Sequence, residues 1–370
     1  MARFLVVIGT RPEAIKLAPV ITELRRQLPY AAVSVCSTGQ HREMLAQTLA
    51  VFGITPDLDL ALMQPDQSLS GLSARVLTAM DAVLTQNAPA WMLVQGDTTT
   101  VAMAAIAANH RQVRVAHVEA GLRTYDRANP FPEEMNRVIA DHISEVNFAP
   151  TLAAKENLLR EGIAAQRIVV VGNTVIDALH TLAGQSWQPD PTDPCAQLPD
   201  ARRLILVTAH RRENFGAPLA AICTALQTVA QRYGDKVHIV YLVHRNPNVW
   251  SAVYARLSAV DGITLLPPVD YRTLVYLMQK SWLILTDSGG IQEEAPALGK
   301  PVLVMRATTE RPEAIAIGAA QLVGADATRI VDAVESLLHH EDRYTRMATA
   351  GSPYGDGHAA VRIVTHLLER

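Results

Sequence analysis

Phe4-Leu5-Val6-Val7-Ile8-Gly9-Thr10-Arg11-Pro12-Glu13-Ala14-Ile15-Lys16 contains the fold in miniature. Its opening apolar run reads as a strand covered on both faces, as a parallel sheet requires. Gly9 permits the tight turn that follows, and Pro12 suits the first turn of a helix. Ala14, Leu17, Ala18, Ile21, Leu24 and Leu28 then recur at three- and four-residue spacings, which makes one apolar helical face. Strand, glycine turn and helix together form the first half of a doubly wound α/β unit.

The same alternation continues outward from that segment. Further strands are expected at Val33–Ser37, Met92–Gln95, Arg114–Val118, Val146–Ala149 and Ile168–Val171. A second series follows at Leu204–Thr208, His238–Val243, Ile263–Leu266, Leu283–Thr286 and Val302–Val304. Leu219, Ile222, Leu226 and Val229 repeat the helical spacing behind Pro218. The pattern breaks once, where Gln185–Asp200 is rich in Pro and Asp with no apolar period and reads as surface linker. Two similar α/β domains facing across a cleft are therefore expected, over residues 1–171 and 172–356. A helix over 357–370, with no strand partner, packs back on the first.

Composition narrows the function. The chain has 370 residues, 49% of them hydrophobic, enough for real cores. Lys and Arg number 33 against 36 Asp and Glu, a net charge of −3 that argues against nucleic acid or an anionic membrane as main partner. Cys36, Cys195 and Cys223 are widely spaced and suggest neither disulfides nor zinc, which fits a reducing cytoplasm. No export signal or membrane-spanning run is seen. No G-x-G-x-x-G follows a strand, and Gly299-Lys300 runs into Pro301, so dinucleotide and P-loop readings lose their support.

In open α/β sheets ligands bind beyond the carboxyl ends of strands, and here those positions are polar. Arg11 and Lys16 flank a helix start whose N–H groups suit a phosphate, although both also fit ordinary surface charges. Asp97 in Gln95-Gly96-Asp97-Thr98 follows a strand and also fits an N-cap. Glu119 ends the next strand ahead of Gly121, and Glu133 and Glu134 open a helix where acids are favourable dipole partners. Asp97, Glu119 and Glu133 converging on one cleft would make proton transfer near neutral pH feasible. The second half carries the opposite chemistry. His210 lies in the cationic Thr208-Ala209-His210-Arg211-Arg212, and Ser288, Gly289 and Gly290 offer a hydroxyl and bare N–H groups to a diphosphate. Glu294 suits a ribose diol, and Arg311, in an echo of the Arg-Pro-Glu-Ala text at 11–14, suits the diphosphate again. His244 reads as structural.

With these residues in hand, the chain resembles the non-hydrolysing UDP-N-acetylglucosamine 2-epimerases. The matching text is GTRPEAIK (9–16), QHREML (40–45), GDTTT (96–100), HVEAGLRT (117–124), PEEMNR (132–137), GNTVID (172–177), HRREN (210–214), DSGGIQEEAPALGKPV (287–302) and TERPEA (309–314). The resemblance implies a GT-B-type fold of two Rossmann-like doubly wound domains, the second binding UDP. It implies a cytoplasmic homodimer that needs no metal or organic cofactor and makes UDP-ManNAc for bacterial surface polysaccharides. The implied reaction is reversible C2 epimerisation of UDP-GlcNAc, through elimination of UDP to 2-acetamidoglucal and re-addition. Asp97, Glu119, Glu133 and His210 would be catalytic, and Arg11, Lys16, Ser288, Gly289, Gly290, Glu294 and Arg311 would bind substrate. A 2-epimerase of a modified UDP-sugar, such as a 2,3-diacetamido uronate, is the alternative.

The chain also departs from that family. Leu274 stands where related enzymes often place Phe under the uracil, which leaves weaker base stacking or stacking by Tyr271. Some bacterial members bind a second UDP-GlcNAc as activator, with Gln where this chain has Glu43 and Arg where it has Asp66. Gln40 and His41 remain, but two changes toward acid disfavour a diphosphate there.

Overall fold

The structure, a computed structural model, describes residues 3–39, 42–64, 66–199 and 202–370, with 42–44 described by backbone alone. The chain divides into two compact units, Met1–His180 with Tyr354–Arg370, and Thr181–Pro353. Each is a parallel sheet flanked by helices, as the doubly wound reading expects.

The first unit holds β1 (Phe4–Ile8), β2 (Val33–Ser37), β3 (Leu58–Asp59), β4 (Trp91–Gln95), β5 (Arg114–Val118), β6 (Val146–Ala149) and β7 (Ile168–Val170). They lie in the order β3-β2-β1-β4-β5-β6-β7, all parallel. From β1 the chain runs outward to β2 and β3, then returns to pair β4 on the other side of β1. The order therefore reverses between β1 and β4, the position at which open α/β sheets bind their ligands. Helix Arg11–Gln27 covers this sheet with Leu17, Ile21 and Leu24 fully buried, each burial contributing about 1.5–3 kcal/mol.

The second unit holds β8 (Arg203–Thr208), β9 (Val237–Leu242), β10 (Ile263–Leu266), β11 (Ser281–Thr286), β12 (Val302–Val304) and β13 (Ala320–Leu322), in the order β10-β9-β8-β11-β12-β13. Here the reversal falls between β8 and β11, the same plan in a second copy.

The sequence missed β3 and β13. Both are short edge strands with partly exposed residues, so neither shows the continuous apolar run that marks a central strand. Residues 172–180 pack with the first unit, beyond the expected division at 171. Helix Thr174–Ala183 carries Asp177, whose carboxylate accepts from the backbone N–H groups of Ala359 and Ala360 at 3.3 and 2.8 Å. Asp177 thus caps the start of helix Ala359–Leu368 from another element. Ile363, Val364 and Leu367 of that helix join the core beneath helix Arg11–Gln27. The 185–199 stretch has no regular element, as expected, yet it is anchored. Trp187 meets Tyr276 edge-on at 5.9 Å and Cys195 is buried. Among the described residues no helix is long and apolar enough to cross a membrane.

Candidate active site

At the first reversal point, the loop after β1 is fixed by a residue the sequence reading passed over. Thr10 caps helix Arg11–Gln27, and Glu13 reaches back to complete the capping box, accepting from the Thr10 N–H at 3.0 Å and from the Gly9 N–H. The other Glu13 oxygen accepts from Thr98 Oγ1 at 2.7 Å. Glu13 therefore ties the loop after β1 to the loop after β4. Gly9 has no alternative here, because a Cβ would sit 2.8 Å from Thr100 Oγ1 and 3.0 Å from Thr100 Cβ. The clue was the Thr-x-x-Glu spacing of residues 10–13.

Burial, with a lesser contribution from nearby Asp97, pushes the Glu13 carboxyl up to about 7. An acid whose folded value lies above its unfolded one keeps a proton that the unfolded chain has already released. Stability is then lost as pH climbs from about 4.5 to 7, a loss of about 3 kcal/mol for this group. Glu13→Gln, which carries no charge at any pH, is expected to remove that loss. Urea unfolding of both proteins at pH 5 and pH 8 checks it, and parallel pH dependences would refute it.

The candidate acids come from adjoining segments of this unit. Asp97 follows β4, is half-buried, pairs with Arg137 and accepts Asn136 Nδ2 on its backbone carbonyl at 3.0 Å. Glu119 follows β5, where Oε2 pairs with Lys16 and accepts from Gln95 Nε2 at 3.2 Å. Its backbone is left-handed, with φ at 66°, a conformation that costs a non-glycine residue about 1–2 kcal/mol. Glu133 is half-buried at the first position of helix Glu133–Ile143 and makes no ion pair among the described residues. Its neighbour Glu134 has a structural part: it is buried, accepts from the Thr124 and Tyr125 N–H groups and lies 3.3 Å from Arg137 Nη1. Lys16, expected against a phosphate, is thus engaged with Glu119. Arg11 is exposed at the helix start.

The second reversal point gathers cations. His210 and Arg211 follow β8, and their backbone N–H groups donate to Asp287 Oδ2 at 2.9 and 2.8 Å, with Asn214 Nδ2 also at 2.9 Å. The register Thr208↔Thr286 puts the two loops side by side. Asp287 is fully buried, and its other oxygen, Oδ1, has no hydrogen-bond partner and lies 3.6 Å from His210 Nδ1. Asp287 thus fixes the backbone of the loop that carries His210, whose ring stacks on His244 at 5.4 Å. Ser288 precedes helix Gly289–Ala297, and its side chain does not cap it.

Arg211 and Arg311 both crowd the start of that helix. A Cβ on Gly289 would lie 3.7 Å from Arg211 Nη2 and 3.9 Å from Arg311 Nη2. Two guanidinium groups at a helix N-terminus with bare glycine N–H groups make a strong anion site. Arg311 is set in place by the buried Glu293, to which its Nε donates, and its own N–H donates to Thr309 Oγ1 at 3.1 Å. One turn on, Glu294 Oε2 accepts from the Tyr271 hydroxyl at 2.7 Å, and Oε1 lies 3.4 Å from where a Gly290 Cβ would be. Tyr271 is 4% exposed, which speaks against the second of the two expectations, stacking by Tyr271, and leaves weaker stacking at Leu274. Its ring is inside the protein, and its hydroxyl orients Glu294. Leu274 is half-buried.

Glu13, Asp287, Arg211 and Glu293 are thus the residues beyond the sequence list, and Tyr271 has a different part from the one expected. Asp287 and Glu293 lie inside the matched text, but only the strand register and helix face show what they hold. Gln40 and His41 lie outside the described residues, as does the side chain of Glu43. Asp66 is exposed at a turn.

Two doubly wound units, one with acids at its reversal point and the other with a cationic helix start, define a GT-B-type enzyme of the nucleotide-sugar class. The sequence profile of the UDP-N-acetylglucosamine 2-epimerase family matches residues 23–368. The chain belongs to that family, and it is an isomerase. The UDP-N-acetylglucosamine 2-epimerase of Salmonella typhimurium is 49% identical over 99% of this chain and 98% of its own. The Neisseria meningitidis UDP-GlcNAc 2-epimerase, solved bound to UDP-GlcNAc, is 44% identical with a TM-score of 0.91 over 100% of both chains. Staphylococcus aureus MnaA, solved with UDP, is 40% identical with a TM-score of 0.88, over 100% of this chain and 96% of its own.

Proposed function

We propose that this chain interconverts UDP-GlcNAc and UDP-ManNAc by eliminating UDP to 2-acetamidoglucal and adding it back. The observation that carries the reading is the division of charge: Asp97 after β4 and Glu119 after β5 in the first unit, Arg211 and Arg311 beside the start of helix Gly289–Ala297 in the second.

C2 of the sugar bears no adjacent carbonyl, so its hydrogen is not acidic and direct deprotonation is very slow. Cleavage of the C1–O bond to UDP as the C2 hydrogen leaves as a proton gives the neutral glycal and UDP. The electron pair of the C–H bond becomes the new double bond, and the C1–O pair departs on the diphosphate. The diphosphate gains charge as it leaves, and Arg211, Arg311, His210 and the helix start stabilise it electrostatically. Glu294, held by Tyr271, takes the ribose diol. Inversion requires proton removal on one face and delivery on the other, for which the acids of the first unit are the candidates. Glu119, held between Lys16 and Gln95, is the candidate base of this reading. The working enzyme is a cytoplasmic homodimer in this reading, supplying a surface polysaccharide.

Proton NMR of the purified protein with UDP-GlcNAc alone tests it. Epimerisation needs no second substrate, so the N-acetylmannosamine anomeric signal should grow to an equilibrium. A spectrum that stays unchanged, or free UDP with no new nucleotide sugar, would refute the proposal.

A further inference from the structure

We infer that His117 and Asp141 are a buried positioning pair that sets the carboxylates of Asp97 and Glu119 for proton transfer; the inference rests on the epimerase reading above. β4 and β5 pair in register up to Gln95↔Val118, and the Gly96 N–H makes one more rung to the Val118 carbonyl at 3.1 Å. Beyond it the ladder ends, and the two acids stand on the strand extensions past that end. There the pair takes over. His117 Nε2 lies 2.7 Å from the carbonyl of Gly96, the residue before Asp97, and a carbonyl only accepts, so the ring donates. His117 Nδ1 lies 2.6 Å from Asp141 Oδ1. Asp141 Oδ2 accepts from the N–H of Gly121, two residues after Glu119, at 3.2 Å. A single pair of side chains therefore grips both extensions.

The turn it grips does not hold itself. Glu119 and Gly121 both have left-handed backbone, at φ 66° and 85°. Gly121 is pressed so close to the helix Leu152–Arg160 that a Cβ would sit 2.3 Å from the Ala154 carbonyl oxygen. Both members of the pair are fully buried, and Arg123 Nη2, 2.7 Å from Asp141 Oδ2, ties them to Glu161 at 2.6 Å. Such buried ionic groups are weak evidence for stability, since apolar residues of equal volume often serve as well. What apolar residues could not do is hold Gly96 and Gly121 by directed hydrogen bonds.

The test compares His117→Met, which fills the space without a donor, with His117→Gln, whose side-chain N–H still reaches toward Gly96. For each, kcat with UDP-GlcNAc, the UDP dissociation constant and the melting curve are measured. H117M should lose about 100-fold in kcat, the scale of a small misplacement of reacting groups, with UDP affinity within about twofold. H117Q should recover about tenfold of that loss. A purely structural role would lower the melting temperature of both and leave kcat per folded molecule alone. If H117M does not fold, Asp141→Asn is read by the same split. H117M or D141N folded and turning over within about threefold of wild type overturns the inference. So does an H117Q no better than H117M. A wild type that leaves UDP-GlcNAc unchanged overturns the epimerase reading, and this inference with it.

Discussion

Glu119→Gln is expected to lose about 10³-fold in turnover while UDP affinity stays within about twofold, the size of effect that removal of a general base produces. The substitution is nearly isosteric, so the left-handed backbone at 119 and the packing of Ala120 are kept. The amide oxygen still accepts from Lys16 Nζ and Gln95 Nε2, the two groups that meet Oε2 now. Lost is the capacity to take a proton from C2. UDP should be indifferent, because the proposed reading gives its phosphates to Arg211, Arg311 and the helix start at 289 rather than to Glu119. Calorimetric titration with UDP beside steady-state epimerisation separates the two quantities. Equal losses in both would make Glu119 a binding or structural residue and remove the base from the account.

Arg311→Met should fail in two ways that can be pulled apart. The guanidinium stands beside the start of helix Gly289–Ala297 and pairs with Glu293, which is 2% exposed. Removing the cation from beside a buried carboxylate costs about 3 kcal/mol of stability. Removing a charge-assisted contact to a phosphate costs about 2 kcal/mol of binding, or about 30-fold in UDP affinity. Adding Glu293→Gln to Arg311→Met takes away the buried charge that has lost its guanidinium, so the double variant should regain most of the stability. It should regain none of the affinity. A double variant that binds UDP like wild type would show that Arg311 serves the fold alone.

The two sheets could be read from the sequence because parallel strands buried on both faces leave unbroken apolar runs, as in Phe4–Ile8 and Leu204–Thr208. The two- and three-residue strands Leu58–Asp59 and Ala320–Leu322 are too short and too exposed to leave such a mark, and they went unseen, whereas the edge strands Ile168–Val170 and Ile263–Leu266 were read. The reactive-looking side chains were readable for a similar reason: Asp97, Glu119, His210 and Ser288 follow strands directly, where polar residues stand out. Their supports were not, because support is made by register and by helix face. Nothing in the text around Asp287 says that Thr286 pairs with Thr208 and so brings its carboxylate under His210. Nothing around Tyr271 says that its hydroxyl meets Glu294 from a different helix. The position of Tyr271 invited a stacking role, and only its burial assigns it the other.

The account turns on whether the hydrogen at C2 leaves for a protein group and a solvent-exchanged one replaces it. Epimerisation of UDP-GlcNAc in heavy water, followed by NMR and mass spectrometry of the nucleotide sugar, asks this directly. The account predicts deuterium at C2 of the UDP-ManNAc formed, one atom per turnover. UDP-ManNAc that still carries the original C2 hydrogen would contradict it.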